Sequence, residues 1–263
     1  MSTFRRMSLA ERLAAAAALA ATASSLAGFL PGLYRDPSFV VGQSHGYDAG
    51  NLVAVAVLVL GLARSSRGSA RGRLVTSGAL ACLLYGYVTY AFFIVLNPAT
   101  LLYIAVLGLG GWSFALGLAR VSDHEVGRAI DAALPRKATA SFLIVAAALF
   151  ALNWLRLIAG SVISGRLPPE LEVSGWPMNP VFVLDLGFVL PFMVFTAVRI
   201  AKGRPGAGLL AAPLLVFQSV LGITILLMAI FAAAAGQALE PLLLAIFVVV
   251  TLASASMAWL ALR

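Results

Sequence analysis

Eight long stretches of this chain are almost free of charge, and they constrain its fold more than any other feature. Leu13–Leu30, Ala49–Ala63, Leu74–Leu96, Ala99–Ala119, Ala138–Leu155, Gly206–Ala235 and Pro241–Leu262 contain no acidic or basic residue, and Val181–Val198 contains only Asp185. A bilayer core about 30 Å thick is crossed by roughly 20 apolar helical residues. No water reaches that depth, so the backbone has to satisfy its own hydrogen bonds, as a helix does. Composition agrees: 62% of the 263 residues are hydrophobic and 11% charged, against roughly 45–50% and about 25% in soluble domains. The expected fold class is an all-α membrane protein with eight transmembrane helices.

Local signals punctuate the runs. Pro31-Gly32 closes the first, and Asn97-Pro98 separates the third from the fourth. Asn179-Pro180 opens the sixth with an N-cap residue followed by proline at the first helical position. Glu240-Pro241 opens the eighth in a similar way. Gly206–Ala235 would rise about 45 Å as a helix; two spans and a turn do not fit into it, so it reads as one tilted or protruding helix. Ala49–Ala63 would rise only ~22 Å, which predicts a start nearer Ser44 or His45.

Basic residues give the direction. Fifteen of the eighteen fall at the N-terminus, in the second-to-third, fourth-to-fifth and sixth-to-seventh connections, or at Arg263. Arg35 and Arg166 fall in the opposite loops, and Arg156 within a span. The positive-inside rule then places both termini in the cytoplasm. The net charge of +8 divides into +11 on the cytoplasmic side and −3 on the outer side and outer leaflet. It is spent on orientation against the inner leaflet, with membrane lipids as partners, and gives no support to a nucleic-acid partner. Sixteen arginines against two lysines, with abundant alanine, suggest GC-rich coding and a bacterial cytoplasmic membrane.

The two halves are laid out alike. Each starts with a basic residue and an alanine-rich helix (Arg12 onward, Lys137 onward). Asp48-Ala-Gly50 and Asp185-Leu-Gly187 then occupy matching places, and a proline precedes the last span of each half. Two parallel four-helix repeats about an axis along the membrane normal are expected, in residues 1–120 and 138–263. Residues 121–137 form the cytoplasmic linker. There Ser122-Asp-His-Glu125 reads as a capping box for a short surface helix ending near Pro135. A repeat gives the first span a counterpart in the fifth. The competing reading is a cleaved signal peptide, with Arg5-Arg6 before Ala21-Thr-Ala23.

Ionisable groups at membrane depth are functional candidates by default. Asp185 lies about 7 Å below the start of its helix and Arg156 about 27 Å along the preceding one, which puts both in the outer leaflet. They are expected to face inward and to pair, directly or through Asn153; the competing reading has Arg156 snorkelling to the headgroups. Asp48 is the counterpart of Asp185. Tyr87 and Tyr90, three apart, share a helix face and with Asn97 and Trp154 complete a candidate aromatic and polar pocket, against an interfacial belt as the alternative. Gln218 reads as a hydrogen-bonding link between helices.

No catalytic group stands out. Gly111-Trp-Ser113 has no histidine within a span to act as its base. Asp48 and Asp185 would have to approach each other to share a proton, and Val183-Leu184 stands before Asp185 where the two-aspartate intramembrane proteases have glycine. The single cysteine, Cys82, and two histidines offer no metal-ligand set, so neither metal nor cofactor is expected.

Asn97-Pro-Ala-Thr-Leu-Leu-Tyr-Ile-Ala105, Leu134-Pro-Arg-Lys137 and Asn179-Pro-Val-Phe-Val-Leu-Asp-Leu-Gly187 give the chain a resemblance, over most of its length, to an uncharacterised family of bacterial eight-span membrane proteins. That resemblance implies the architecture and carries no activity. The expectation is an outer-leaflet pocket, built on Asp185, Arg156 and Asp48, that binds or transports a small amphipathic molecule or an ion. The alternatives are an accessory subunit that meets a membrane-protein partner or a second copy of itself, and an intramembrane enzyme using paired carboxylates.

Overall fold

The computed structural model describes residues 7–118, 124–237, 239 and 241–263. Among them every regular element is helical: α1 (Leu9–Gly28), α2 (Ser38–Ser65), α3 (Ala70–Phe92), α4 (Thr100–Leu118), α5 (His124–Ala133), α6 (Arg136–Ser164), α7 (Pro169–Ser174), α8 (Pro180–Leu184), α9 (Leu190–Ala201), α10 (Ala207–Ala234) and α11 (Pro241–Leu262). A π-helical turn, Asp185–Val189, joins α8 to α9. Seven helices are long and apolar enough to cross a membrane: α2, α3, α4, α6, the continuous α8–α9, α10 and α11. This is the pattern of a multi-pass membrane protein. They coincide with seven of the eight predicted runs. The first run forms α1, a 20-residue helix whose Glu11, Arg12 and small alanines give it less apolar character.

Helix ends follow local chemistry, with some differences from expectation. Ser8 and Glu11 close a capping box at the start of α1, with Ser8 N donating to Glu11 Oε2 at 2.8 Å. Ser69 Oγ accepts from Gly72 N at 3.1 Å at the start of α3. Helix α2 begins at Ser38, directly after Pro37, and not near Ser44. Phe39-Val40-Val41 is apolar and continues the helix, so Asp48 lies about 15 Å inside it. Helix α6 likewise runs nine residues past Leu155 to a left-handed Gly165. The seventh run is one helix, as its length predicts. The expected box at Ser122–Glu125 includes residues outside the described ones, but the surface helix α5 is present. Asp131 on α5 accepts from Gly206 N at 2.8 Å and Gly208 N at 2.6 Å, which caps α10.

Side-chain size decides how closely the helices approach. Lipid supplies no hydrophobic drive between membrane helices, so association depends on close packing and hydrogen bonds. Helices α1 to α4 form a closed ring in which α1 meets both α2 and α4. The α1 face is made of alanines, among them the fully buried Ala14, Ala17 and Ala21, and Ser113 Oγ on α4 donates to Ala10 O at 2.8 Å. Helix α10 is the seam: it packs on α2 and α3 of the first half and on α11 of the second. At Gly46 a Cβ would come within 2.3 Å of Met228 Cα, so glycine is what lets α2 and α10 touch there. The second half is open by comparison. Helix α6 lies along α9 but barely meets α11, because Phe142, Val145 and Leu149 confront Ile246, Val249 and Val250 across a groove of about 310 Å³.

Candidate functional site

The interior of the second half is not filled. A cavity of about 210 Å³ lies between α2, α3, α6, the α8–α9 helix, α10 and α11, walled by side chains such as Phe150, Met193, Phe217, Leu221 and Phe247. Its charged group is Asp185. Asn179 Oδ1 accepts from Val181 N at 2.9 Å and Pro180 starts the helix, so Asp185 comes one turn further on, in the π-helical turn. Pro191 accounts for that turn. It has no N–H to donate to Gly187 O, and its ring crowds that carbonyl. The helix widens there, and Leu190 N donates to Asp185 O. Single π turns within α-helices recur at functional sites.

Two neutral donors hold the Asp185 carboxylate: Tyr85 Oη of α3 at 2.9 Å to Oδ1, and Trp154 Nε1 of α6 at 2.8 Å to Oδ2. Asp185 is 8% exposed. Two further polar atoms are buried at this cavity with no hydrogen-bond partner among the described residues, Tyr47 Oη and Gln218 Oε1. The Gln218 amide N–H instead faces Met193 Sδ at 3.5 Å. A buried polar atom left unpaired costs roughly 1–3 kcal/mol, so both atoms offer unused binding capacity.

Asp48 occupies a separate nest in the first half. It is fully buried, and Tyr34 Oη donates to its Oδ2 at 2.6 Å and Tyr90 Oη to its Oδ1 at 3.0 Å. Burial first, and then the adjacent carboxylate, pushes the phenol of the loop residue Tyr34 above its ordinary value, which keeps it a donor. The rings of Tyr87 and Tyr90 stack at 5.4 Å, and Tyr103 meets Tyr90 at 5.1 Å. Side chains fill this space.

Several expected site residues therefore stand elsewhere. Arg156 is exposed, and its Nη2 donates to Asn153 Oδ1 at 3.3 Å; neither residue is a partner of Asp185. Asn153 and Trp154 are adjacent and so about 100° apart on the helix, and only Trp154 turns to the cavity. Tyr87 donates to Ser24 Oγ at 3.1 Å and Ala21 O at 3.2 Å inside the first bundle; it and Tyr90 are core residues and do not line the cavity. Asn97 caps α4, accepting from Ala99 N at 2.9 Å. The carboxylates of Asp48 and Asp185 have different partners on different helices, which gives no support to a shared-proton dyad. Among the described residues no group of three His, Cys, Asp or Glu side chains could hold a metal.

Tyr34, Tyr47 and Tyr85 were not among the expected site residues, and Gln218, expected to link helices, stands at the cavity with its Oε1 unpaired among the described residues. Tyr85 carried a usable signal: two positions from Tyr87, it lies about 200° around the helix and cannot serve the same face. The chain matches no family model, no curated protein and no solved structure.

Proposed function

We propose that this is an eight-span membrane protein whose cavity at Asp185 binds a small amphipathic molecule. The observation that carries the reading is a buried carboxylate, held only by neutral donors among the described residues, at the polar end of an apolar cavity. Ligand sites are mostly apolar with a few convergent polar groups, and a carboxylate inside a membrane is costly to keep without a use. Arg156 takes no part, so Asp185 has no cationic partner among the described residues. Helix α1 is the eighth span: its 20 residues rise about 30 Å, and Leu19 and Leu26 are exposed while Ala14, Ala17, Ala18 and Ala21 face the bundle. Both termini lie in the cytoplasm of a bacterial inner membrane, on the side of the basic loops. The halves are repeats that have diverged, α1 to α4 forming a ring while α6 and α11 stay apart.

Native mass spectrometry of protein released from its own membrane tests the reading. A small adduct carried by the wild type and lost in Asp185→Asn supports it. Identical spectra from the two proteins would contradict it.

A further inference from the structure

The cavity has a neighbour. The groove between α6 and α11 faces outward, and Val250 lines both spaces. At their boundary Phe150 of α6 stacks on Phe247 of α11, with ring centroids 5.4 Å apart and planes at 30°. No acidic or basic side chain other than Asp185 lines either space. Resting on the reading of the Asp185 cavity as a ligand site, we propose that the ligand is a membrane-dissolved amphiphile with an ammonium head and a single hydrocarbon tail. It reaches Asp185 sideways from the bilayer, past the Phe150–Phe247 pair.

Size, chemistry and access agree. A volume of about 210 Å³ is several times what one water needs, enough for a head and a few carbons. A longer tail would continue into the groove of about 310 Å³, whose walls are entirely apolar side chains. The head group follows from the acceptors. The Asp185 carboxylate and Gln218 Oε1 both accept, and an ammonium donates up to three hydrogen bonds and carries the charge that an isolated carboxylate lacks. Aromatic rings in the lining, Trp154 and Phe217 among them, suit a cation further. An anionic head would be repelled, and a neutral alcohol would leave the carboxylate uncompensated. Access follows from packing: the bulky facing side chains that hold α6 and α11 apart leave the ring pair as the barrier between lipid and cavity.

The test uses the full chain in lipid vesicles with Trp112, Trp176 and Trp259 replaced by phenylalanine, so that Trp154 alone reports. Phosphatidylcholine brominated at mid-chain should quench Trp154 more strongly than aqueous iodide does. Octylamine should change its emission saturably, at least tenfold more tightly than octanol or octanoate, with that preference lost in Asp185→Asn. Filling the groove at two lipid-facing positions, Val145→Phe with Val249→Phe, should slow the octylamine response at least fivefold and weaken bromolipid quenching. Quenching by iodide alone, or an unchanged octylamine rate in the filled variant, overturns the sideways route whatever binds. Octylamine no tighter than octanol, or indifferent to Asp185→Asn, overturns the ammonium ligand. Bromolipid quenching that persists in that case shows that the route stands while the Asp185 reading fails.

Discussion

Asp48 and Asp185, counterparts in the expected repeat, have different surroundings and different donors. Asp48 is enclosed by hydroxyls in the α1–α4 bundle, and its role is to hold the Tyr34 loop and α3 against α2. Asp48→Ala should remove that acceptor, leave the Tyr34 hydroxyl without its carboxylate while Tyr90 keeps Ser44 O at 3.0 Å, and cost roughly 2 kcal/mol. Asp48→Asn retains one oxygen and should cost less. Thermal unfolding in detergent checks both, and equal melting temperatures for Asp48→Ala and the wild type would refute the role. At the other carboxylate, Tyr85→Phe takes away one of two donors and should lower stability by about 2 kcal/mol, with the same readout. Asp185 was legible as a functional candidate because a lone charge in an apolar run is conspicuous. Its partners were not, since Tyr85 is 100 positions away and nothing local links the two. Arg156 looked like the natural counter-ion by depth, but depth says nothing about the direction a side chain takes around its helix.

At the scale of elements, residue size accounts for which helices close and which stay apart. Gly46→Ala should force α2 away from the α10 backbone at Met228 and cost on the order of 2 kcal/mol, visible as a lower melting temperature. A change at the exposed Gly108, where a new Cβ meets nothing within 4 Å, should leave stability unchanged. Asp131→Ala should uncap α10 and cost about 1 kcal/mol, without altering the Asp185 cavity at the far part of the bundle. Helix positions were readable because apolar run length sets them, and Asn179-Pro180 marked one start correctly. The early start of α2 escaped because Phe39–Tyr47 mixes polar and apolar residues without the charge that would break a span. The π turn escaped because Pro191 was read as an ordinary member of the run, although a proline there removes a helical hydrogen bond.

For the whole molecule, the proposed arrangement assigns each loop to one side of the membrane. Cysteines placed at Arg67 and Gly203 should react with a membrane-impermeant maleimide only after the cells are opened, while those at Gly32 and Gly175 should react in intact cells. The native Cys82 is buried and contributes little background. Labelling of Gly32 and Gly203 from the same side would overturn the eight-span arrangement, including α1. The alternation of basic loops along the chain is the basis of this arrangement. The open second half was not readable, because it arises from bulky residues on α6 and α11 that are about a hundred positions apart and unremarkable individually. The central claim is that the Asp185 cavity is a ligand site, and a cryo-electron-microscopy map of the wild type in its native lipid tests it most directly. The account predicts elongated density between Trp154, Phe217 and Gln218, with one end within hydrogen-bond distance of the Asp185 carboxylate, and no such density in Asp185→Asn. A cavity without such density in the wild type, or the same density in both proteins, would contradict it.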